Sequence, residues 1–304
     1  MRISSIAACT MGVMDGPVFL ITGAGGYLGR RLVSVATTKG RVCSAVRRQS
    51  GSAVANVVVV DIADRDAVFA VVERLKPTAI VHAAAVNPGQ GGEVEMLQVN
   101  ADGSRHVAEA AVAVGARLVA VSTDIVHDGR AGPYGDDAMP TPINAYGRSK
   151  AAGEEAILEV DPSAVVARTS LVYGLDEMDR GTAAFAERLN RGEAVSLFSD
   201  VLRNPVSVDV LADALIRLTF TDYAGPLNVA GHQALSREEF GRKMLSYWGF
   251  ESNDRIHSVR ASDVSESIPT DLRLISSRAE KLLGMTFPGV DDVLSNAQTR
   301  PNHE

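Results

Sequence analysis

Val18-Phe19-Leu20-Ile21-Thr22-Gly23-Ala24-Gly25-Gly26-Tyr27-Leu28-Gly29 joins an apolar, strand-like run to a cluster of glycines and the start of a helix. A strand that breaks into a glycine turn and then a helix is the opening of a βαβ unit, and the backbone amides at such a helix start can hold a pyrophosphate. Gly23 permits a sharp turn, Gly26 lets the backbone approach phosphates without a Cβ in the way, and Gly29 lets the helix pack on the sheet. The spacing is Gly-x-x-Gly-x-x-Gly, and a tight strand-helix turn with no ligand would read the same.

Outward from this turn the chain alternates short β-branched runs with helical patterns, which predicts an α/β fold with a parallel sheet. Strands are expected at 18–22, 41–46, 56–60, 79–83, 117–122 and 164–169, with helices from the turn to about Lys39 and over 65–75, 93–114 and 146–159. Beyond Tyr173 the rhythm weakens. Helices are expected at 181–191, 208–220, 236–248 and 277–283, a short strand at 195–198, and a further main-sheet strand at 226–229. The expected architecture is a Rossmann, doubly wound parallel sheet with a smaller, discontinuous α/β substrate lobe. Residues 16–170 plus about 205–230 are assigned to the dinucleotide-binding part, about 171–204 plus 231–300 to the lobe, and 1–15 to a disordered leader.

Composition narrows the function. The 304 residues carry a formal net charge of −7, which argues against a broad nucleic-acid or anionic-membrane surface. No segment has the length and apolarity of a membrane span. The two cysteines, Cys9 and Cys43, and the six histidines, His303 among them, show no ligand spacing, so no metal site is expected and a reducing, cytoplasmic setting fits. A homodimer is left open.

The second expected strand ends in Arg47-Arg48, where an acidic residue would favour NAD. Guanidinium groups can fork onto a ribose 2′-phosphate, so NADP(H) is expected over NAD(H), with a solvated basic loop as the plain alternative. Asp61 ends the third strand and is placed either to accept from the adenine amino group or to start a turn. Val121-Ser122-Thr123 closes a central strand, and Tyr146-Gly147-Arg148-Ser149-Lys150 opens a helix on which residues i and i+4 share a face. A lysine ammonium beside a phenol favours the phenolate, and a nearby threonine hydroxyl can hold a carbonyl oxygen, so Thr123, Tyr146 and Lys150 are the candidate catalytic group.

On these motifs the chain resembles the extended short-chain dehydrogenases and, among them, the dTDP-4-dehydrorhamnose reductase family. The likeness also rests on His82-Ala83-Ala84-Ala85, Asn100-Ala101-Asp102-Gly103, Ser122 to Gly129, Arg168 to Gly174 and Arg203-Asn204-Pro205-Val206, and runs from Val18 to about Leu294. It implies that Thr123 positions a keto group, Tyr146 donates a proton, and Lys150 lowers the tyrosine pKa while contacting the nicotinamide ribose. It further implies a wall of Ala83, Ala84 and Ala85 near the cofactor, Asn100 supporting the active-site network, Ser170 and Leu171 near the carboxamide, and Arg203 beside the charged part of the substrate. Tyr27, Leu28 and Ile62 complete the expected cofactor set; Val86, Asn87, Thr123, Asp124, Ile125, Tyr146 and Arg203 make up the expected substrate set. The implied activity is NADP(H)-dependent reduction of a keto group on a nucleotide-activated deoxysugar, as in dTDP-rhamnose biosynthesis. Two departures, Leu171 where the family commonly has Trp and Val206 where it has Thr, leave the sugar open. An NAD-dependent epimerase or dehydratase and a redox-silent cofactor-binding regulatory subunit are the alternatives.

Overall fold

The computed structural model describes residues 16–48, 56–250 and 254–298. The expected leader, Cys9 and His303 lie outside them. Two compact units emerge: one runs to Thr123 and adds Ala145–Ala167 and Ala212–Pro226; the other comprises Asp124–Asn144, Arg168–Leu211 and the chain from Leu227 on.

Seven strands form the main sheet: β1 (Val18–Thr22), β2 (Arg41–Val46), β3 (Val57–Val59), β4 (Ala79–His82), β5 (Arg117–Thr123), β6 (Val165–Thr169) and β7 (Gly225–Val229). Their order is β7-β6-β5-β4-β1-β2-β3, with parallel pairing from β3 through β5. The direction of winding reverses between β1 and β4, the place where such sheets bind ligands at the carboxyl ends of their strands. Every residue of β1, β4 and β6 is buried, as a sheet covered on both faces requires.

Helices α1 (Tyr27–Thr37), α2 (Arg65–Leu75), α3 (Glu93–Leu97), α4 (Gly103–Val114) and α5 (Ala145–Val160) belong to the same unit. Asp64 caps α2 by accepting from the Ala67 amide at 3.1 Å. One expectation fails here: 93–114 is not a continuous helix, because Gln98–Asp102 winds as a π turn between α3 and α4. The cause is local packing. A Cβ on Gly153 of α5 would lie 2.2 Å from the Asn100 carbonyl oxygen, so α5 presses on the turn, and the Asn100 side chain is drawn inward to partners described below. The strand expected from Asn56 starts instead at Val57, since Asn56 has φ 53° and bonds the Val42 carbonyl through its side chain.

The second unit is held by short pairings, of which the two between dipeptides carry no periodicity and were not expected. Val172–Tyr173 pairs with Val206–Ser207, Leu202–Arg203 with Leu235–Ser236, and the expected Val195–Phe198 strand with Ile256–Val259. Its helix Arg237–Tyr247 opens on a capping box between Ser236 and Glu239. A helix at Val290–Gln298 was also missed, although Asp291 and Asp292 in its first turn supply a start signal.

Candidate active site

In the first unit the glycine turn has the form its sequence implies. Gly23 has φ +68°, and a Cβ there would sit 2.7 Å from the Ala84 amide nitrogen; no other residue meets both demands. A Cβ on Gly29 would lie 2.0 Å from the Gly23 carbonyl oxygen, so α1 starts tight against the turn. Gly26 stands at the N-cap with no side-chain cap, and the first turn of α1 holds no acidic residue. The first turn of α1 thus turns its positive dipole end to the glycine loop with no acidic side chain beside it, an environment that favours an anion.

A cavity of about 470 Å³ opens beside this turn. Gly23, Gly26, Arg47, Asp61 and Ile62 line it, as do Ala83, Ala84, Ala85, Val86 and Asn87. Thr22, Ala45, Val60, Gln90 and Val99 line it as well; sequence reasoning passed over them because they sit at strand ends, in a loop and in the π turn with no spacing that marks them. Tyr27, Leu28, Gly29, Arg48 and Asn100 are not part of this lining among the described residues. Arg47 is tied to Glu95 at 3.0 Å, both side chains about half exposed. Asp61 accepts from the Ala63 amide at 3.0 Å, so it starts a turn and faces the cavity at once.

Thr123, Tyr146 and Lys150 belong to this unit. Thr123 ends β5 and is buried, and Tyr146 is partly exposed with its hydroxyl 3.3 Å from Asn87 Oδ1. Lys150 is buried, and its Nζ donates to the Val121 carbonyl at 2.9 Å. Burial draws its pKa from 10.5 down to about 8, opposed by the Glu154 carboxylate.

A buried polar chain links the glycine turn to the tyrosine helix. Thr22 Oγ1 lies 2.7 Å from His82 Nδ1, His82 Nε2 lies 3.0 Å from Ser104 Oγ, and Ser104 donates to the Asn100 carbonyl at 2.7 Å. Because that carbonyl can only accept, Ser104 must receive the Nε2 hydrogen of His82, and Nδ1 must accept from Thr22. His82 is neutral: burial, then the Lys150 charge, lower its pKa to about 3. The Asn100 side chain accepts from Val86 N at 2.8 Å and donates to Val86 O and Ser149 Oγ, each at 3.0 Å. Ser149 in turn donates to the Tyr146 carbonyl at 2.8 Å. Asn100 was expected to support the site; Thr22, Ser104 and Ser149 were not singled out, since a serine in a helix looks the same whether buried or solvated.

The second unit holds the remaining expected residues. Asp124 is fully buried, and the Arg203 guanidinium forks onto its carboxylate through Nε and Nη2. Ser170 donates to Asp124 Oδ2 at 2.7 Å and accepts from the Asn204 amide at 3.2 Å. Arg203 is 4% exposed and is committed to Asp124. Leu171 packs with Tyr173, Leu235 and Phe240, and Ile125 lies in the 3₁₀ turn Asp124–Val126. Trp248 joins the same cluster. Among the described residues no group of histidine, cysteine, aspartate or glutamate could hold a metal ion, and no helix is long and apolar enough to cross a membrane.

Several known proteins resemble this chain. A family model described as RmlD substrate binding domain matches residues 18–289. A dTDP-4-dehydrorhamnose reductase of Mycobacterium tuberculosis is 32% identical over 278 residues, 88% of this chain and 87% of that one. A dTDP-4-keto-6-deoxy-D-glucose reductase of Streptomyces niveus is 40% identical over 166 residues, 53% of this chain and 54% of that one. The crystal structure of dTDP-4-dehydrorhamnose reductase from Bacillus anthracis in complex with NADP matches at a TM-score of 0.80 and 27% identity, covering 92% of this chain and 98% of that one.

Proposed function

Since the chain belongs to the RmlD substrate binding domain family, we propose that it is an NADP(H)-dependent oxidoreductase that reduces a keto group on a nucleotide-activated deoxysugar. The observation that carries this reading is the glycine turn and uncapped α1 opening onto a 470 Å³ cavity, in the same unit as Thr123, Tyr146 and Lys150. The cavity suits a dinucleotide: Gly23 and Gly26 keep Cβ atoms out of its phosphate end, and Ala83 to Ala85 offer a low wall. NADPH, held by the glycine turn and the Ala83–Ala85 wall, would supply the hydride that reduces the carbonyl carbon.

The chain's own residues do the rest. Thr123 holds the substrate carbonyl oxygen, and Tyr146 gives that oxygen its hydroxyl proton as the alcohol forms. Lys150, anchored on the Val121 carbonyl, brings a positive charge near the phenolate left behind and holds the nicotinamide ribose. Arg47, once parted from Glu95, would hold the ribose 2′-phosphate, and Asp61 would hold the adenine. A cytoplasmic setting, where NADPH and reduced thiols such as Cys43 persist, fits this chemistry.

A second reading, an NAD-dependent epimerase or dehydratase, is favoured by the Arg47–Glu95 pair, which places a carboxylate beside the residue meant for the 2′-phosphate. One experiment separates them: purified protein is titrated with NADPH and NADH, then reduced-nicotinamide absorbance is followed after adding a dTDP-4-keto-6-deoxy sugar. Consumption of NADPH supports the reductase. Protein that emerges with NAD bound and consumes no reduced cofactor with any keto sugar overturns it.

A further inference from the structure

Tyr146, Lys150 and Glu154 follow one another at i, i+4 and i+8 on α5, so they form a single stripe of that helix. Lys150 and Glu154 are both buried, at 6% and 4% exposure. A buried carboxylate next to a buried ammonium is costly unless each is hydrogen-bonded. Here each is: Lys150 donates to the Val121 carbonyl, and Glu154 Oε1 accepts from the Ser122 hydroxyl, the neighbouring residue of β5. Among the described residues the other groups around the lysine carry no compensating charge. His82, at the end of β4, is neutral; the π turn packed against α5 presents Asn100, with its Asp102 exposed; α4 presents Ser104; and Glu93 of α3 and Arg105 of α4 pair with Arg148 and Glu159 of α5. Glu154 is therefore the anion that favours a charged lysine in a place where burial opposes it.

We propose that Glu154 is a positioning residue of the oxidoreductase centre: its carboxylate, fixed by Ser122, keeps the Lys150 ammonium charged and aimed, and so sets the alkaline limit of the reaction. The proposal rests on the catalytic reading above, because it takes Lys150 to work in its protonated form. Glu154 touches neither substrate nor cofactor in this scheme and acts only through the lysine.

The test reads Lys150 directly. Protein labelled with ¹³C at lysine Cε is titrated by NMR, and the Lys150 signal is identified by its loss in Lys150→Arg. In Glu154→Gln, which keeps the shape and an acceptor for Ser122, the Lys150 midpoint is expected to fall by on the order of one pH unit. In Glu154→Asp it is expected to stay within a few tenths of the wild-type value. With a keto-sugar substrate, the alkaline limb of kcat/KM is expected to move down by the same amount in Glu154→Gln while the rate at low pH is kept. If Glu154→Gln does not fold, Ser122→Ala is expected to move the midpoint the same way by less. An unmoved midpoint in the folded variant overturns the proposal, as does a uniform loss of rate at every pH. Because the NMR titration needs no turnover, a failure to reduce any keto sugar would count against the proposed activity alone.

Discussion

At the scale of the residue, the candidate chemistry concentrates in side chains with contrasting surroundings. Tyr146 is partly open and Lys150 is buried on the same helix, as a proton donor and its electrostatic support should be. Tyr146→Phe removes only the transferable proton, so turnover is expected to drop by about 10²–10⁴-fold with NADPH affinity nearly unchanged, checked by steady-state rates beside fluorescence titration of the cofactor. Arg47 is half exposed and its pairing with Glu95 is a surface bridge, so its loss should cost little stability. Arg47→Ala with Arg48→Ala is expected to weaken NADPH by roughly 10–100-fold and NADH by far less. Equal losses for the two cofactors would show that neither guanidinium reads the 2′-phosphate.

At the scale of the element, the glycine turn and the Tyr-x-x-x-Lys helix were open to reading because each demand is local: a positive φ, a close backbone approach, an i,i+4 face. The π turn was not open to reading. Its cause lies in Gly153, fifty-three positions away from Asn100, and no periodicity within 93–114 reports a contact made by another helix. The paired dipeptides of the second unit escaped for a related reason, since two residues cannot display alternation and are held by partners distant in the chain. The Arg203–Asp124 fork was equally hidden, being a pairing across 79 positions. The π turn gives a direct test. Gly153→Ala would force a methyl group onto the Asn100 carbonyl, and is expected to destabilise the protein by about 1–3 kcal/mol while displacing Tyr146, read as a lower urea midpoint together with a reduced kcat.

At the scale of the whole molecule, stability should depend on acid through two buried neutral histidines. His82 titrates at about 3 and His127, desolvated and near Arg168, at about 4, against 6.5 for an ordinary histidine. Below pH 6.5 the unfolded chain takes up protons that the folded chain refuses, so stability is full above that pH and falls as pH drops toward 4 and then 3. Each histidine contributes a slope of at most about 1.4 kcal/mol per pH unit. The Tm is expected to fall steadily from pH 7 to pH 5, and His82→Gln to flatten that fall; a Tm indifferent to pH over this range would contradict it. The net charge of −7 shrinks as carboxylates protonate, which acts in the opposite sense but without the same onset.

The polar chain from Thr22 through His82, Ser104, Asn100 and Ser149 to the Tyr146 carbonyl runs in one direction, because its carbonyl members can only accept. Replacing any one link leaves a buried partner orphaned on each side, and no single neighbouring change restores both. Lineages descended from this chain should therefore exchange these five positions in concert or keep all five, so that residues spread over two strands and three helical segments are inherited as one unit.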